Sequence, residues 1–506
     1  MTKLSFTLAS AGATEDLARV LSLWARPGSL IALTGDLGSG KSTFARAFIR
    51  ALMKTAGHTD VPSPSFSLVQ TYEETRLAIF HADLYRLKSI DEIFDLGLEE
   101  LLQSHCGLIE WADKLPHAIC ENTLHLSLSG GGNQRDVKLV ATGSWIAALS
   151  RNRLIADFLD LPSHAAGSRQ FFEGDASSRR YETVEHKGQK VILMDMPQRP
   201  DGPVVRHGKP YSQISHLAEN ITSVVAINRQ LVDHGYSAPR MLAFDLKAGL
   251  ALIEPLGDKV FGKMLLAGED MTVPLEAAAF MLADMATKHW PAKVEAMPGI
   301  FHNLQAYDED AQLIEVDLMP SWYVPFARGK TADPGLNDDF ANLWRTLLPL
   351  SVAAKPQWVL RDFHSPNLLW IPQRQGLQRV GLIDTQDALM GHPAYDLVSM
   401  IQDARVDIPP HLAVQTYGTY INQRHRQGGF DGDEFATAYA VLGAQRATKI
   451  LGIFARLNKR DGKPAYLKHM PRVSRHLAQN LEHPALADLK KWYDKHLPEA
   501  LSLGAA

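Results

Sequence analysis

Apolar positions in the first 150 residues alternate between short continuous runs and helical periods. The run "GSLIALTG" (Gly28–Gly35) is typical of a buried strand, and "KSTFARAFIRALM" (Lys41–Met53) has the apolar spacing of an amphipathic helix. Strand, glycine-rich loop and helix in this order predict an α/β domain. The further predicted strands are "RLAIFHAD" (Arg76–Asp83), "GLIEW" (Gly107–Trp111), "NTLHLSLSG" (Asn122–Gly130) and "RDVKLVATG" (Arg135–Gly143). The last two alternate in polarity and are joined through "GGN", which predicts a closing hairpin.

A second pattern begins at about Arg151. The segment "RRYETVEHKGQKVILMD" (Arg179–Asp195) predicts a β-hairpin that turns at its Lys-Gly dipeptide. The segment "HLAENITSVVAINRQLVDHG" (His216–Gly235) has the period of a helix. After a strand in "GLALIEPLGD" (Gly249–Asp258), the pattern is mostly helical to the last residue, interrupted by a strand–loop–strand around Asp362. A small β-rich lobe followed by a larger helical lobe is therefore predicted.

Length and composition narrow the class of protein. A chain of 506 residues is too long for one ordinary core and predicts several domains. The net charge of −4 gives no overall basic field for binding nucleic acid. The two cysteines, Cys106 and Cys120, are expected to be reduced thiols. The sequence has no signal-peptide pattern and no long uncharged apolar run, so we expect a cytoplasmic protein without a membrane span.

A phosphate-binding loop follows the first predicted strand. Gly35-x4-Gly40-Lys41-Ser42 matches the P-loop pattern, in which backbone N–H groups hold the nucleotide phosphates. The lysine reaches the terminal phosphates and the Ser42 hydroxyl binds Mg²⁺. ATP and Mg²⁺ are therefore the predicted cofactors. The predicted nucleotide-binding residues are Gly35, Asp36, Gly38, Ser39, Gly40, Lys41, Ser42 and Thr43.

Two acidic residues at strand ends are candidates to complete this site. Asp83 ends one apolar run and Glu110 ends another. The ends of sequential strands commonly converge on the P-loop in open α/β sheets, where hydrolases need a carboxylate near the metal and a group that positions water. Considered alone, either acid fits equally well as a solvated strand end.

Four motifs occur in order along this part of the chain: "GDLGSGKST", "VPSPSFSLVQTY", "HADLYRL" and "LIEWADKLP". Together they resemble the TsaE family of bacterial ATPases, which serves the threonylcarbamoyl modification of tRNA adenosine. The resemblance covers residues 1–150. It implies that Asp83 lies at the magnesium site, that Glu110 activates or orients water, and that Trp111 belongs to the nucleotide pocket. It also implies TsaB-like and TsaD-like partners, with tRNA bound indirectly through them.

A second catalytic pattern lies in "WVLRDFHSPNLLW" and "VGLIDTQDA". In kinase-like phosphoryl transfer, a carboxylate accepts the proton of the attacking hydroxyl, and an asparagine and a second aspartate hold Mg²⁺. Asp362 is the candidate base, and Asn367 and Asp384 are the candidate metal ligands. The alternative is two unrelated acidic turns. The apolar strand before Asp384 favours the catalytic interpretation.

The segment "DTQDALMGHPAYDLVSMIQDAR", with "DASSRRY", "VILMDMP" and "LIEPLGD", resembles the aminoglycoside phosphotransferase superfamily, and within it the AmgK-like sugar kinases. The resemblance covers about residues 151–500. It implies transfer of phosphate from ATP to the anomeric hydroxyl of N-acetylmuramic acid or N-acetylglucosamine in peptidoglycan recycling. It also implies that Asp396 braces the catalytic loop. The usual kinase lysine is missing from "VILMD". Lys190, Arg179 and Arg180 are the candidate phosphate-binding cations in its place, and Arg180 is the one predicted.

The predicted fold is an α/β P-loop NTPase domain over residues 1–150, followed by a bilobal kinase-like α+β domain over residues 151–506, with its small lobe ending at about residue 258. A bifunctional enzyme is predicted. Three alternatives stay open: the second half assists the tRNA-modification ATPase, the P-loop half is a docking module with little hydrolysis, or the kinase half phosphorylates an aminoglycoside.

Overall fold

The computed structural model describes residues 2–54, 60–115, 119–172, 179–198 and 202–503. The chain divides into two compact units, Met1–Asp195 and Met196–Ala506. The segment "DASSRRY" falls partly outside the described residues. Within the described ranges, no helix has the length and apolar character needed to cross a lipid bilayer.

The first unit is built around a mixed sheet. Its strands are β1 (Thr2–Leu8), β2 (Leu30–Thr34), β3 (Val69–Tyr72), β4 (Ile79–Asp83), β5 (Cys106–Glu110), β6 (Thr123–Ser129), β7 (Arg135–Ala141), β8 (Gln170–Phe172), β9 (Arg180–His186) and β10 (Gln189–Asp195). Its helices are α1 (Ala11–Ser22), α2 (Lys41–Leu52), α3 (Ile90–Phe94), α4 (Leu98–Leu102) and α5 (Ser144–Phe158). The sheet order is β1-β7-β6-β2-β5-β4-β3. The predicted strands and the P-loop helix are thereby confirmed.

The centre of this sheet is parallel. β2 pairs in parallel with both β5 and β6, and β4 pairs in parallel with β5. β2, β4 and β5 are buried apolar runs, which is the pattern of strands covered on both faces. Their carboxyl ends therefore lie at one edge of the sheet, where the P-loop follows β2. The predicted hairpin of β6 and β7 is confirmed, with Ser129 opposite Asp136.

A second, smaller antiparallel sheet segment in the first unit contains β8, β9 and β10. The predicted β9–β10 hairpin is confirmed, with His186 opposite Gln189. Lys187 and Gly188 both have positive φ, at 52° and 75°, as a two-residue hairpin turn requires.

Trp24 links the early part of this unit to its later part. The Trp24 indole Nε1 donates to Asn152 Oδ1 at 3.2 Å, and Arg169 Nη1 donates to the same oxygen at 2.8 Å. Arg180 lies over the Trp24 ring, 3.6 Å from its centroid. Residues on both sides of the predicted boundary at residue 150 therefore share buried contacts. That boundary stays a prediction.

The second unit is mostly helical. Its strands are β11 (Val204–Arg206), β12 (Lys209–Pro210), β13 (Met241–Asp245), β14 (Leu250–Ile253), β15 (Lys293–Met297), β16 (Ile300–Asn303), β17 (Gln357–Val359), β18 (Leu368–Trp370), β19 (Val380–Leu382) and β20 (Leu389–Gly391). Its helices are α6 (Tyr211–Ile214), α7 (Ile221–Asp233), α8 (Phe261–Leu266), α9 (Thr272–Met285), α10 (Glu309–Val316), α11 (Val324–Arg328), α12 (Pro334–Leu347), α13 (Ala394–Ile401), α14 (Pro410–Gln427), α15 (Gly432–Asp461), α16 (Met470–Asn480), α17 (Ala487–His496) and α18 (Glu499–Ser502).

The long helix α15 runs through the core of this unit. Its buried face, which includes Val441, Leu451 and Phe454, belongs to a cluster with Trp344 of α12 and Tyr493 of α17. The short pairs β17–β20 and β18–β19 frame the segment around Asp362. A helical core thus supports a small β framework that carries the candidate catalytic loop.

Candidate active sites

The P-loop connects the end of β2 to the start of α2. Gly35, Gly38 and Gly40 have φ angles of 138°, 78° and 105°, which L side chains rarely adopt. A Cβ atom at Gly35 would lie 2.1 Å from the carbonyl oxygen of Leu128. The close approach of the loop to β6 therefore requires glycine at this position.

The Lys41 side chain is hydrogen-bonded to the backbone of the P-loop. Its Nζ donates to the carbonyl oxygens of Gly35 at 2.7 Å and Asp36 at 2.9 Å. The same Nζ lies 3.8 Å from the centroid of the Trp111 ring, which is a cation–π contact. Burial lowers the pKa of Lys41, and the nearby Glu110 carboxylate opposes that shift. The lysine and the tryptophan predicted for the nucleotide pocket thus lie against each other.

Glu110 joins the sheet to the P-loop helix. Ser42 Oγ donates to Glu110 Oε2 at 2.8 Å, and His81 Nε2 lies 3.0 Å from Glu110 Oε1. Glu110 and His81 are each 1% exposed. A buried carboxylate is costly unless it is hydrogen-bonded, so these partners stabilise it beside the loop.

Asp83 lies next to Glu110 on the adjacent parallel strand. The two residues are register partners at the ends of β4 and β5. Asp83 Oδ1 accepts from the backbone N–H of Tyr85 at 3.0 Å, and Oδ2 accepts from Ser63 Oγ at 3.3 Å. Ser63 belongs to the "SPSF" loop, so the structure brings that loop to the site. Both acids predicted from strand ends therefore meet at one edge.

A cavity of about 340 Å³ contains most of the predicted residues of this site. The predicted residues that line it are Gly38, Gly40, Lys41, Ser42, Thr43, Asp83, Glu110 and Trp111. Gly35 and Asp36 contribute carbonyl oxygens to Lys41 instead. The functional roles of these residues stay predictions.

Arg135 is a P-loop contact that the sequence interpretation missed. Its Nε donates to the carbonyl oxygen of Ser39 at 2.7 Å, and its Nη2 donates to that of Gly38 at 3.1 Å. The side chain also donates to the carbonyl oxygens of Gly132 and Gln134 in the β6–β7 turn. Arg135 therefore ties the phosphate-binding loop to the hairpin. An arginine at the start of a strand carries no local signal for such a contact.

The second site is built on the loop from Arg361 to Asn367. The backbone N–H of His364 donates to the carbonyl oxygen of Asp362 at 2.9 Å, and Asn367 Nδ2 donates to the same oxygen at 3.1 Å. The buried Phe363 anchors the loop in the core. The candidate base and the candidate ligand five residues later are thus held in one turn.

Strand pairing brings Asp384 to this loop. Leu368 of β18 pairs with Leu382 of β19, and the backbone N–H of Ile383 donates to the carbonyl oxygen of Asn367 at 3.1 Å. Asp384 follows immediately, with a φ of 63°. The seventeen positions from Asn367 to Asp384 therefore span one hairpin, in which the end of β19 lies beside the start of β18.

Two buried aspartates fix the backbone of the catalytic loop. Asp396 accepts from the backbone N–H groups of Leu360 at 2.7 Å and Arg361 at 3.0 Å, and Asp403 accepts from that of Ser365 at 2.8 Å. The bracing role expected of Asp396 is confirmed. Burial raises the pKa of Asp396 to about 7.

The Asp362 carboxyl is the accessible acid of the loop. Its side chain is 41% exposed, and its Oδ1 lies 3.9 Å from His364 Nδ1. Partial desolvation and the neighbouring Asp387 carboxylate raise the pKa of Asp362. Asp387 accepts from the backbone N–H of Ala218 at 2.6 Å and from Gln386 Nε2 at 3.0 Å. A carboxylate with a raised pKa is a better proton acceptor, which suits a general base.

A buried ion network supports the loop from below. Arg361 Nη2 donates to Glu315 Oε1, and Lys449 Nζ donates to the same oxygen at 3.1 Å. Tyr307 Oη and Gln445 Nε2 donate to Glu315 Oε2 at 2.6 Å and 2.9 Å. Burial alone would raise the pKa of Glu315, but Lys449 and Arg361 hold it at about 2. The sequence analysis missed this network, whose members come from segments far apart in the chain.

Arg180, the predicted phosphate-binding cation, is engaged within its own unit. Its Nη2 donates to Glu182 Oε1 at 2.6 Å, and Glu182 also accepts from Arg169 Nε at 2.7 Å. Burial lowers the pKa of Arg180 to about 10. Asp195, close to where the kinase lysine was sought, accepts from Arg151 Nη2 at 2.6 Å. The phosphate-binding role of Arg180 stays a prediction.

Each site offers hard oxygen ligands that fit Mg²⁺. Ser42 and Asp83 line the first cavity, while Asn367 directly precedes β18 and Asp384 follows its partner strand β19. Mg²⁺ is typically held by one or two protein oxygens together with substrate phosphates and water. Among the described residues, no group of three or more His, Cys, Asp or Glu side chains has a metal-binding arrangement. The oxygen ligands of both sites therefore fit a Mg²⁺ ion that is held jointly by the protein and by the phosphates of a bound nucleotide.

The fold and the sites define two classes of protein: a P-loop ATPase on an α/β sheet, and a kinase-like phosphotransferase. Two family models match the chain accordingly. "Threonylcarbamoyl adenosine biosynthesis protein TsaE" matches residues 8–137, and "Phosphotransferase enzyme family" matches residues 168–430. The chain belongs to both families. The predicted fold class is confirmed.

Curated relatives of both halves are known. The chain is 34% identical over 352 residues to the N-acetylmuramate/N-acetylglucosamine kinase of Caulobacter vibrioides, covering 68% of this chain and 96% of that protein. It is 37% identical over 136 residues to the tRNA threonylcarbamoyladenosine biosynthesis protein TsaE of Rickettsia conorii, covering 27% of this chain and 77% of that protein. Among solved structures, choline kinase LicA of Streptococcus pneumoniae matches with 13% identity and a TM-score of 0.43, over 65% of this chain and 99% of that one.

Proposed function

We propose that the chain is a bifunctional enzyme. The second half transfers phosphate from ATP to the anomeric hydroxyl of N-acetylmuramic acid or N-acetylglucosamine. The observation that carries this proposal is that Asn367 is hydrogen-bonded to the backbone of Asp362 and begins a hairpin that returns to Asp384, while the Asp362 side chain is 41% exposed. The activity named for the Caulobacter relative, which aligns over 96% of its length, supports the choice of acceptor.

The chemistry of this half is proton transfer and positioning. Asp362 accepts the proton of the anomeric hydroxyl as the hydroxyl oxygen attacks the γ-phosphorus of ATP. The bond from the γ-phosphorus to the bridging oxygen breaks, and ADP leaves with that oxygen. Asn367 and Asp384 would hold Mg²⁺, which supplies charge neutralisation on the phosphate oxygens. Asp396 keeps the loop backbone in place, because it accepts hydrogen bonds from the backbone N–H groups of the two residues before Asp362. An anomeric hydroxyl is more acidic than other sugar hydroxyls, which eases its deprotonation.

The first half hydrolyses ATP in support of tRNA threonylcarbamoyladenosine formation. Lys41 and the P-loop backbone bind the phosphates, Ser42 and Asp83 would hold Mg²⁺, and Glu110 activates or orients the attacking water. The hydrogen bond from Ser42 to Glu110 places these groups within one small cavity. TsaB-like and TsaD-like proteins are the proposed partners, and tRNA is bound through them.

The experiment is sugar phosphorylation by the purified chain, beside Asp362→Asn and Lys41→Ala. We expect sugar 1-phosphate from the unchanged chain and from Lys41→Ala, and none from Asp362→Asn. Hydrolysis of ATP without sugar should fall in Lys41→Ala instead. Absence of sugar turnover with persistent ATP hydrolysis would contradict the sugar-kinase assignment, and saturable kanamycin turnover far above that of both sugars would reassign the acceptor.

A further inference from the structure

A large cavity in the second unit adjoins the catalytic loop. It has a volume of about 990 Å³ and lies between the segment 202–219 and helices α10, α12 and α15. Ala218 lines this cavity and donates its backbone N–H to Asp387, whose charge acts on Asp362. Two residues before the lining residue Leu217, the carbonyl oxygen of Ser215 accepts from Arg361 Nη1 at 2.8 Å. The wall of the cavity is therefore bonded directly to the residues around the base.

The charged side chains of the cavity are mostly paired within the protein. Three of its arginines have a carboxylate partner within 4 Å. These pairs are Arg206–Asp317, Arg345–Glu309 and Arg460–Asp461. Of the unpaired acids, Glu219 accepts from Ser212 Oγ at 3.0 Å, and Asp310 and Asp338 are exposed at the rim. These carboxylates suit the hydroxyl groups of a sugar, which are hydrogen-bond donors.

Arg456 differs from the other arginines of the cavity. It makes no ion pair with any residue in the described ranges, and its Nε is buried without a hydrogen-bond partner. Its guanidinium lies over the ring of Tyr211, 5.1 Å from the centroid, and Tyr211 also lines the cavity. Burial lowers the pKa of Arg456. The side chains of Tyr211 and Asp461 oppose that shift, but Arg456 has no carboxylate within 4 Å among the described residues, so an anion that binds its free N–H groups would be stabilised.

We propose that Arg456 binds the carboxylate of an acid-bearing amino sugar in this cavity and so favours N-acetylmuramate over N-acetylglucosamine. This inference rests on the proposed sugar-kinase function and deepens it. The two sugars differ by the lactyl ether, whose carboxylate is the group that a guanidinium recognises through paired N–H donors. Tyr211 would hold the guanidinium plane in place. Arg456 is thus a specificity-determining residue of the acceptor site.

The test compares the two sugars in one enzyme. The ratio of kcat/KM for N-acetylmuramate to that for N-acetylglucosamine is measured for the unchanged chain, Arg456→Gln, Arg456→Lys and Lys459→Gln. Lys459 is the matched control, since it carries the same charge on the same helix but is exposed and does not line the cavity. We expect Arg456→Gln to lower the ratio about tenfold or more through KM for the acid, as loss of a charge-assisted hydrogen bond implies. Arg456→Lys should restore part of it.

A binding measurement separates this inference from the proposed reaction. N-acetylmuramate and N-acetylglucosamine are titrated calorimetrically into Asp362→Asn protein, with and without Arg456→Gln. Preferential binding of the acid that disappears with Arg456→Gln supports the carboxylate site even if no phosphate is transferred. Equal ratios for Arg456→Gln and Lys459→Gln, or equal binding of the acid with and without Arg456, overturn it.

Discussion

Ser42 Oγ donates to Glu110 Oε2 at 2.8 Å, which bonds the first turn of the P-loop helix to the end of the neighbouring strand. Glu110 is also bonded to His81, so its carboxylate is fixed from both sides. Two elements that are far apart in sequence thereby meet at the place where the terminal phosphate of a bound nucleotide is expected.

Glu110→Gln should reduce ATP hydrolysis by the first half about 100-fold or more, because the substitution keeps the shape of the side chain and removes its capacity to accept a proton. Nucleotide affinity, measured with a fluorescent ATP analogue, should change much less than kcat. Glu121→Gln serves as the control at an exposed glutamate. An unchanged kcat in Glu110→Gln would remove this residue from the hydrolytic step.

Arg135→Ala should weaken ATP binding to the P-loop about tenfold, since the loop loses two hydrogen bonds from a charged donor. The effect should appear in KM for ATP hydrolysis more than in kcat. Lys138→Ala removes the same charge from an exposed position on the same strand. Equal KM values for the two variants would show that Arg135 does not position the loop.

Asp387→Asn should move the acid limb of the kinase pH profile to lower pH. The Asp387 carboxylate contributes to the raised pKa of Asp362, so removing its charge lowers that pKa. The base must be ionised to accept a proton, and activity therefore falls as pH drops through the pKa of Asp362. The limb is followed in kcat with saturating sugar, which separates titration of the base from sugar binding. A limb that stays in place would mean that another group sets it.

Glu315→Gln should lower the free energy of unfolding of the second unit by about 3–5 kcal/mol at neutral pH, because it leaves two buried cations without their carboxylate. The folded pKa of Glu315 is about 2 against an ordinary value of 4.5. Its stabilising contribution is therefore complete above pH 4.5 and is lost as pH falls toward 2. Denaturant unfolding of both proteins at pH 7 checks the size of the effect, and the same measurement repeated from about pH 5 down to about pH 2 checks its loss.

Local patterns in the sequence were sufficient to predict the main residues of the two candidate sites. The P-loop needs glycines and a lysine at fixed spacing, and the hairpin from Asn367 to Asp384 needs only a turn between two apolar strands. Contacts between distant segments had no such signal. β1 alternates in polarity, yet its pairing of Thr2 with Ala141 depends on tertiary packing. Arg135 and Glu315 likewise gain their partners only when remote elements meet.

The shared contacts of Trp24, Asn152 and Arg169 make it costly to divide the chain near residue 150. Splitting it near codon 150 would leave the Trp24 indole without its acceptor and expose a ring that is 7% accessible in the intact chain. A break there costs folding free energy in both products, whatever each enzyme does.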